Sequence, residues 1–382
     1  HLREELLRQV EEFPVVTVIG PRQAGKTTLV QEELAGWGYV SLEDPDTRRL
    51  AERDPRALLG RLGRRVIVDE VQRVPELLSY LQGKVDETGE AGQYVLTGSH
   101  QLQLREAIGQ SLAGRTGILR LLPLSLGELA ASGKGMGRFE EAIHRGFLPR
   151  LHVAGQRPQA AYSAYHQTYV ERDVRLLIHL KDEMLFDKFM RLLAGRVGQL
   201  VDFASLAGDV GVDAKTIRNW ISILEASFLV FRLPPYFENF GKRLIKSPKL
   251  YFTDTGLLCY LLGIETEEQV LRDPLVGSLF ENLVVLECLK ARYHQGKEAG
   301  LYFFRDSNGN EIDLLQAAGR SLHGIEIKSA STFHESFKKS LKRFHERIAP
   351  LQARTIVYNG EPLDFSDGVS AVRFDRIAER VG

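Results

Sequence analysis

Residues 20–28 read GPRQAGKTT, set between the apolar run VVTVI (15–19) and the helix-prone TTLVQEEL (27–34). A loop that leaves a β-branched strand, turns on glycines and opens a helix gathers backbone N–H groups around one point, with the positive end of the helix dipole behind them. That is a cradle for phosphate, and the spacing fits G-x-x-x-x-G-K-[ST]. Gly20, Pro21, Arg22, Gln23, Ala24, Gly25, Lys26, Thr27 and Thr28 are the expected nucleotide contacts. Lys26 reaches toward the β- and γ-phosphates and Thr27 holds a Mg²⁺ ion, so ATP and Mg²⁺ are the cofactors this stretch requires.

Two further strand ends extend that chemistry. RRVIVDE (64–70) closes an apolar run on two carboxylates, Asp69 to complete the Mg²⁺ shell and Glu70 to polarise the attacking water. QYVLTGS (93–99) ends in Thr97 and Ser99, placed to sense the γ-phosphate or hold that water, although such residues also cap turns. Arg115, in LAGRTG (112–117), is a candidate arginine finger acting in cis or in trans on a neighbouring subunit; a surface arginine is the plainer alternative. With YVSLED (39–44) and GILRLLPL (117–124), the chain shows five short apolar stretches separated by helix-length segments, the pattern of a parallel α/β sheet.

The chain of 382 residues is long for one ordinary domain. Its 50 basic and 50 acidic residues cancel, so a nucleic-acid partner must be held by local patches and not by a global field. Two cysteines, Cys259 and Cys288, each in an apolar run, exclude a disulfide framework and a zinc ribbon, and read as buried thiols of a reducing cytoplasm. The start HLREELLRQVEE carries no signal-peptide core and no run is long enough for a membrane span, so a cytoplasmic location is expected. No internal repeat is visible. Residues 126–200 turn helical, with a glycine-rich break at ASGKGMG (131–137) and a long run from Ala160 to Leu193.

The blocks GPRQAGKTT, VIVDEVQRVPELL, YVLTGS, LAGRTG, PLSLGEL, YVERDV, KLYFTDTGLLCYLLG, GSLFENLVV and EIDLL…GIEIKSA together resemble the prokaryotic AAA-type ATPases that carry a C-terminal domain of formerly unknown function. The resemblance covers residues 10–330 or so. It implies an α/β protein with a P-loop AAA+ parallel-sheet core (1–125), a helical connector (126–200), a winged helix (201–270) and a restriction-endonuclease-like α/β domain of the PD-(D/E)XK kind (271–382). A second-sensor arginine in a helical lid has no clear counterpart here.

The residues of the two later regions support their own readings. FASLAGDVGVDAKTIRNWISILEASFLVFRL (203–233) has Gly211 at a turn, then Ile217, Trp220, Ile221 and Leu224 at helical spacing, which leaves Lys215, Arg218 and Asn219 on the outer face, where a helix-turn-helix reaches DNA. The basic loop ENFGKRLIKSPK (238–249) offers Lys242, Arg243, Lys246 and Lys249 for phosphate contacts from a wing. Many such modules serve only protein contacts.

GIEIKSA (324–330) puts Glu326 and Lys328 on one side of a strand and Ile325 and Ile327 on the other. Alone, it reads as the wet face of a strand with a stabilising charge pair. Preceded by Asp313 in EIDLLQ (311–316) and Glu281 in GSLFENLVV (277–285), it has the order of a nuclease centre, in which Asp313 and Glu326 hold metal and Lys328 orients water. In the family resemblance these four positions carry the nuclease-like motif. The expected activity is that of an ATP-driven motor on DNA, branched DNA such as a Holliday junction by analogy, with helicase or branch-migration action and an open question of Mg²⁺-dependent cutting. A homo-oligomeric ring such as a hexamer is expected. The rival reading is an ATP-gated regulatory or defence switch acting on a protein partner, with a non-catalytic terminal domain.

Overall fold

The computed structural model describes residues 2–99, 109, 111–178, 182–236, 247–319 and 321–381, apart from the side chains of 172, 173 and 176. The chain divides into two compact units: His1–Pro123 with Ala226–Phe228 and Tyr293–Lys297, and Leu124–Glu225 with Leu229–Arg292 and Glu298–Gly382.

The first unit contains α1 (Leu2–Glu12), β1 (Val15–Ile19), α2 (Lys26–Glu33), β2 (Gly38–Ser41), α3 (Pro45–Arg53), α4 (Pro55–Leu62), β3 (Val66–Asp69), α5 (Leu77–Thr88), β4 (Tyr94–Gly98) and β5 (Thr116–Arg120). The five strands form one sheet in the order β2-β3-β4-β1-β5, and every pairing is parallel. All five residues of β1 are buried, which is why this strand is a continuous β-branched run and not an alternating one. Its one hydroxyl, on Thr17, is 3.0 Å from that of Thr116 on β5. Leu2 and Leu6 of α1 and Val30 of α2 join Val16, Val18, Ile67, Val95 and Leu119 in one core. Because β4 lies between β1 and β3, the strand ending in Thr97 separates the phosphate loop from the strand ending in Asp69. The sheet has the form the sequence suggests.

The second unit opens helically, with α6 (Leu126–Ala131), α7 (Phe139–Arg145), α8 (Pro149–Ala154), α9 (Pro158–Tyr165) and α10 (Glu183–Ala194). The run expected from Ala160 to Leu193 is not one α-helix: His166–Val174 are wound as a π-helix, and α10 restarts behind the N-cap of Asp182. Next come α11 (Phe203–Val210), α12 (Ala214–Ala226), and the antiparallel pair β6 (Val230–Leu233) and β7 (Lys249–Phe252). Gly211 takes φ +97 at the turn between α11 and α12, a value that suits glycine. Ile217, Trp220, Ile221 and Leu224 are buried, as their spacing requires.

After α13 (Thr255–Leu262) and α14 (Glu267–Arg272), the long α15 (Val276–His294) leads into β8 (Leu301–Arg305), β9 (Glu311–Ala318), β10 (Ser321–Lys328), α16 (Lys339–Arg347), β11 (Ala353–Tyr358), β12 (Leu363–Asp364), β13 (Val369–Arg373) and α17 (Ala378–Val381). The six strands form a mixed sheet, β12-β13-β11-β10-β9-β8, in which β8, β9 and β10 are antiparallel and β10, β11 and β13 parallel. Asp306 builds the β8–β9 turn by accepting from the backbone N–H groups of Asn308 (2.8 Å) and Asn310 (2.9 Å). Leu341 and Phe344 of α16 pack on Leu315, Leu322 and Ile356. Cys259 and Cys288 are buried free thiols. No helix among the described residues is long and apolar enough to cross a membrane.

Candidate functional site

Among the described residues, each unit holds a cluster of chemically competent side chains that includes expected site residues. In the first, Gly25 sits at the N-cap of α2 with φ +92, and Gln23 also takes a positive φ, +61, so the loop folds back on itself before the helix begins. Gly20 has no room for a side chain, since a Cβ there would lie 1.9 Å from the carbonyl oxygen of Leu121. Lys26 Nζ donates to the carbonyls of Gly20 (3.0 Å) and Pro21 (2.8 Å), which holds the ammonium over the loop. Burial lowers its pKa to about 8, against the opposing pull of Glu70 and Asp69.

Asp69, at the end of β3, accepts from Thr27 Oγ1 (2.9 Å), from Tyr39 Oη (2.9 Å) and from the Thr97 hydroxyl. The expected Mg²⁺ pair, Thr27 and Asp69, is thus in direct contact. Glu70 follows with φ +57, unusual for a residue with a side chain. Its N–H donates to Thr97 Oγ1 (3.2 Å), and its carboxylate accepts from Ser99 Oγ (3.3 Å) and from the Gln72 amide. Gln72 also donates to Ser99 Oγ (3.0 Å). Ser99 is therefore within the site as expected, tied to Glu70. Tyr39 and Gln72 were not foreseen: one lies in a strand that reads only as apolar, the other just past the two carboxylates.

Arg115 is not brought to this site. It precedes β5 at the end where its carbonyl accepts from Val15 N (3.1 Å), whereas the phosphate loop follows Ile19 at the opposite end of β1. Four strand steps of about 3.3 Å separate the two ends. The guanidinium instead makes a two-pronged pair with Asp86, Nε to Oδ1 at 2.6 Å and Nη2 to Oδ2 at 2.9 Å. An action in cis is excluded by this placement.

The second cluster lies in the second unit. β10 is a central strand, and Glu326 is only 5% exposed, so the reading of its polar side as a wet face is overturned. Lys328 Nζ contacts Glu326 Oε1 (2.7 Å) and Asp313 Oδ2 (3.2 Å), and the Ile327 N–H also donates to Asp313 Oδ2 (2.8 Å). Burial, then the Asp313 charge, push Glu326 up to about 8, against Lys328. Its Oε2 is buried with no hydrogen-bond partner among the described residues. Glu281 on α15 accepts at Oε1 from Tyr251 Oη (2.5 Å) and from Lys249 Nζ (2.9 Å). Burial and Asp313 raise the Glu281 carboxyl above its ordinary range. Lys249 also pairs with Glu311 (2.5 Å) and is 4% exposed, so it does not serve as the solvent-facing wing contact its sequence neighbourhood suggests. All four expected residues, Glu281, Asp313, Glu326 and Lys328, belong to one electrostatic network, joined by Lys249, Glu311 and Tyr251. A divalent cation fits the donor set, because a buried carboxylate oxygen without a partner is a costly group that a metal would satisfy.

Elsewhere in the second unit, Lys215, Arg218 and Asn219 are exposed on α12, with Arg218 stacked 4.9 Å over the Phe203 ring. Lys242, Arg243 and Lys246 lie outside the described residues. His166, Glu171 and Asp187 bring possible ligand atoms within 4.8 Å of one another, but Arg191 Nε is 2.7 Å from Asp187, which makes this a mixed ion-pair cluster.

A family model described as an AAA domain matches residues 12–130. Two others, each described as a domain of unknown function, DUF8612 and DUF4143, match 136–268 and 276–377. The chain is 35% identical to uncharacterized protein Rv2008c of Mycobacterium tuberculosis, over 97% of its own length and 82% of the relative's. The same figures hold for uncharacterized protein Mb2031c of Mycobacterium bovis. Among solved structures, it is similar to the Walker-type ATPase PABY2304 of Pyrococcus abyssi (14% identity, TM-score 0.46, 68% of this chain and 94% of that one). It is also similar to AMPPCP-bound DnaA of Aquifex aeolicus (13% identity, TM-score 0.30, 59% and 85%).

Proposed function

This chain is an AAA-type P-loop ATPase of the family that includes the mycobacterial proteins Rv2008c and Mb2031c, and from that premise we propose that it couples ATP hydrolysis to work on DNA, branched DNA in particular. The observation that carries the hydrolytic part is the joining of Thr27 to Asp69, with Glu70 pinned beside them by Ser99 and Gln72. In this reading Thr27 and Asp69 would hold Mg²⁺, which would supply charge neutralisation at the phosphates. Lys26 binds the β- and γ-phosphates, and Glu70 takes up the proton side of the attacking water. Gln72 and Ser99 fix the rotamer of Glu70, so that no reorganisation is needed when water arrives.

For the DNA part, Lys215, Arg218 and Asn219 are exposed on α12, which follows α11 across the Gly211 turn and precedes the antiparallel pair β6 and β7; we read these elements as a winged helix that would lay this face on DNA. The terminal cluster supplies metal-holding carboxylates, Asp313 and Glu326, and a lysine beside them, the groups of a PD-(D/E)XK nuclease. A ring of subunits would let Arg115 serve a neighbour's nucleotide once released from Asp86. ATPase rate and binding should be measured over single-stranded, duplex, forked and four-way DNA. Stimulation strongest with four-way DNA is expected, and indifference to every DNA would sink the proposal. Glu326→Ala with Lys328→Ala separates cutting from the motor: Mg²⁺-dependent cleavage should vanish while hydrolysis remains.

A second reading, an ATP-gated switch on a protein partner, is favoured by one observation. The carboxylates of the terminal cluster are already engaged in ion pairs with Lys249 and Lys328, as those of a merely structural network would be. No cleavage by the parent, no affinity for DNA and ATP-dependent assembly would select it.

A further inference from the structure

Two lysines stand among the carboxylates of the terminal cluster, and they are not equivalent. Lys328 lies two residues beyond Glu326 on the same strand, and its side chain is 33% exposed. A long lysine stem with solvent beside it can swing its head outward and leave its partners to another cation. Lys249 comes from β7, outside the 276–377 segment that holds the acidic residues, and its side chain is 4% exposed. It bridges Glu281 (2.9 Å) and Glu311 (2.5 Å), as Lys328 bridges Glu326 (2.7 Å) and Asp313 (3.2 Å).

The four carboxylates are thus shared out in two pairs, each around one ammonium. Glu281 Oε1 is further committed to Tyr251 Oη at 2.5 Å, whereas Glu326 Oε2 has no hydrogen-bond partner among the described residues. One half of the cluster is closed and the other retains an unmet acceptor. Burial works against the Lys249 charge, and the carboxylates of Glu281 and Glu311 in contact with it work for it. A divalent ion entering between Glu281 and Glu311 would have to evict a cation that is buried and paired with both.

We infer that Lys249 is the permanent second cation of this centre: its ammonium fills the place that Glu281 and Glu311 would otherwise offer to a second divalent ion, so that the centre takes one ion, at Asp313 and Glu326. The inference rests on the reading of Asp313 and Glu326 as a metal site. It makes Lys249 a residue that sets metal number, and it makes the centre incomplete in the terminal segment alone. Asp313 and Glu326 would then hold a single ion, which would supply the Lewis acidity that two-metal sites divide between a pair.

The test is Mn²⁺ binding to the full chain without nucleotide, by equilibrium dialysis and electron paramagnetic resonance, in a Thr27→Ala background that silences the phosphate loop. The parent is expected to bind one ion, Lys249→Arg one, and Lys249→Gln two, the second lost again when Glu281→Gln is added. One ion in both the parent and Lys249→Gln, two ions in the parent, or none in either overturns the inference. No ion in the parent but one in Lys249→Gln, removed by Glu281→Gln, keeps Lys249 as the plug and removes instead the reading of Asp313 and Glu326 as a metal site. Should Lys249→Gln lose its cooperative unfolding transition, Glu281→Gln alone decides. An unchanged Mn²⁺ affinity is expected, and a loss of about tenfold or more, the cost of removing a ligand or its support, overturns the proposal.

Discussion

Glu70 is held in a backbone conformation that a residue with a side chain rarely adopts, φ +57. Such a conformation costs about 1–3 kcal/mol and persists only where neighbours enforce it. Here the enforcing contacts are its N–H on Thr97 and its carboxylate between Gln72 and Ser99. Glu70→Gln preserves the shape and removes the charge, so ATP should still bind while turnover falls by about 10²-fold or more. Gln72→Ala leaves the charge but frees the carboxylate. Its kcat should fall by about tenfold at unchanged KM, a loss of order 1.4 kcal/mol in the barrier term. Equal activity of Gln72→Ala and parent would show that Gln72 only fills space.

A second residue-scale consequence concerns acid. Burial, with Arg380 adding to it, lowers the His323 pKa from 6.5 to about 4, and its Nε2 lies 2.8 Å from Thr355 Oγ1. The unfolded chain therefore binds a proton between those values that the folded chain refuses. The stabilisation is fully present above pH 6.5 and is lost as pH falls toward 4, by up to about 3 kcal/mol. His323→Gln, which keeps an amide for Thr355, should flatten the pH dependence of the thermal midpoint in that window. Parallel curves for the two proteins would refute this account.

At the scale of elements, two glycines separate backbone from side-chain constraint. A Cβ on Gly20 meets the Leu121 carbonyl oxygen at 1.9 Å, and backbone in a parallel sheet cannot yield. A Cβ on Gly324 meets Leu351 Cδ1 at 2.7 Å and Leu341 Cδ2 at 2.9 Å, the ends of side chains that can turn. Gly20→Ala should therefore displace the loop and abolish nucleotide binding, whereas Gly324→Ala should fold and lose about 1–3 kcal/mol by overpacking under α16, read from its chemical denaturation midpoint. The same contrast explains what was legible beforehand. The three central strands of the first sheet, β3, β4 and β1, announce themselves because strands buried on both faces read as near-continuous apolar runs, and the phosphate loop because its glycines are imposed by backbone geometry. VSAVR, which forms β13, is too short and mixed to stand out, and the π-helix of His166–Val174 leaves no mark in a sequence that still reads as helical. Glu326 looks solvent-facing because alternation implies exposure only when one face of a sheet is open, and β10 is covered on both. Lys249 was misread for a related reason: its neighbours KRLIKSPK are basic, and nothing local reveals that three acidic residues more than thirty positions away converge on it.

For the whole molecule, charge sets the terms on which DNA can be held. With 50 basic and 50 acidic residues, there is no net field to draw a polyanion from a distance, so affinity must come from a few local cations. Each phosphate neutralised contributes about 0.9 to the slope of log K against log salt on duplex DNA. Lys215 and Arg218 are the exposed cations of the α12 face. If that face lies on the backbone, Lys215→Ala with Arg218→Ala should lower the slope by about 2 and weaken all sequences alike. Asn219→Ala should leave the slope unchanged, because it carries no charge. Binding and hydrolysis must also be linked reciprocally: whatever factor four-way DNA contributes to nucleotide affinity, nucleotide must return to DNA affinity. Titrating the full chain with four-way DNA, with and without a non-hydrolysable ATP analogue, and with the analogue in turn at zero and saturating DNA, measures both factors. Matching factors above unity are what a DNA-coupled motor requires. A factor of one in both directions, with the salt slope untouched by the double substitution, would leave the α12 face and the phosphate loop serving unrelated partners and would move the assignment to the protein-directed switch.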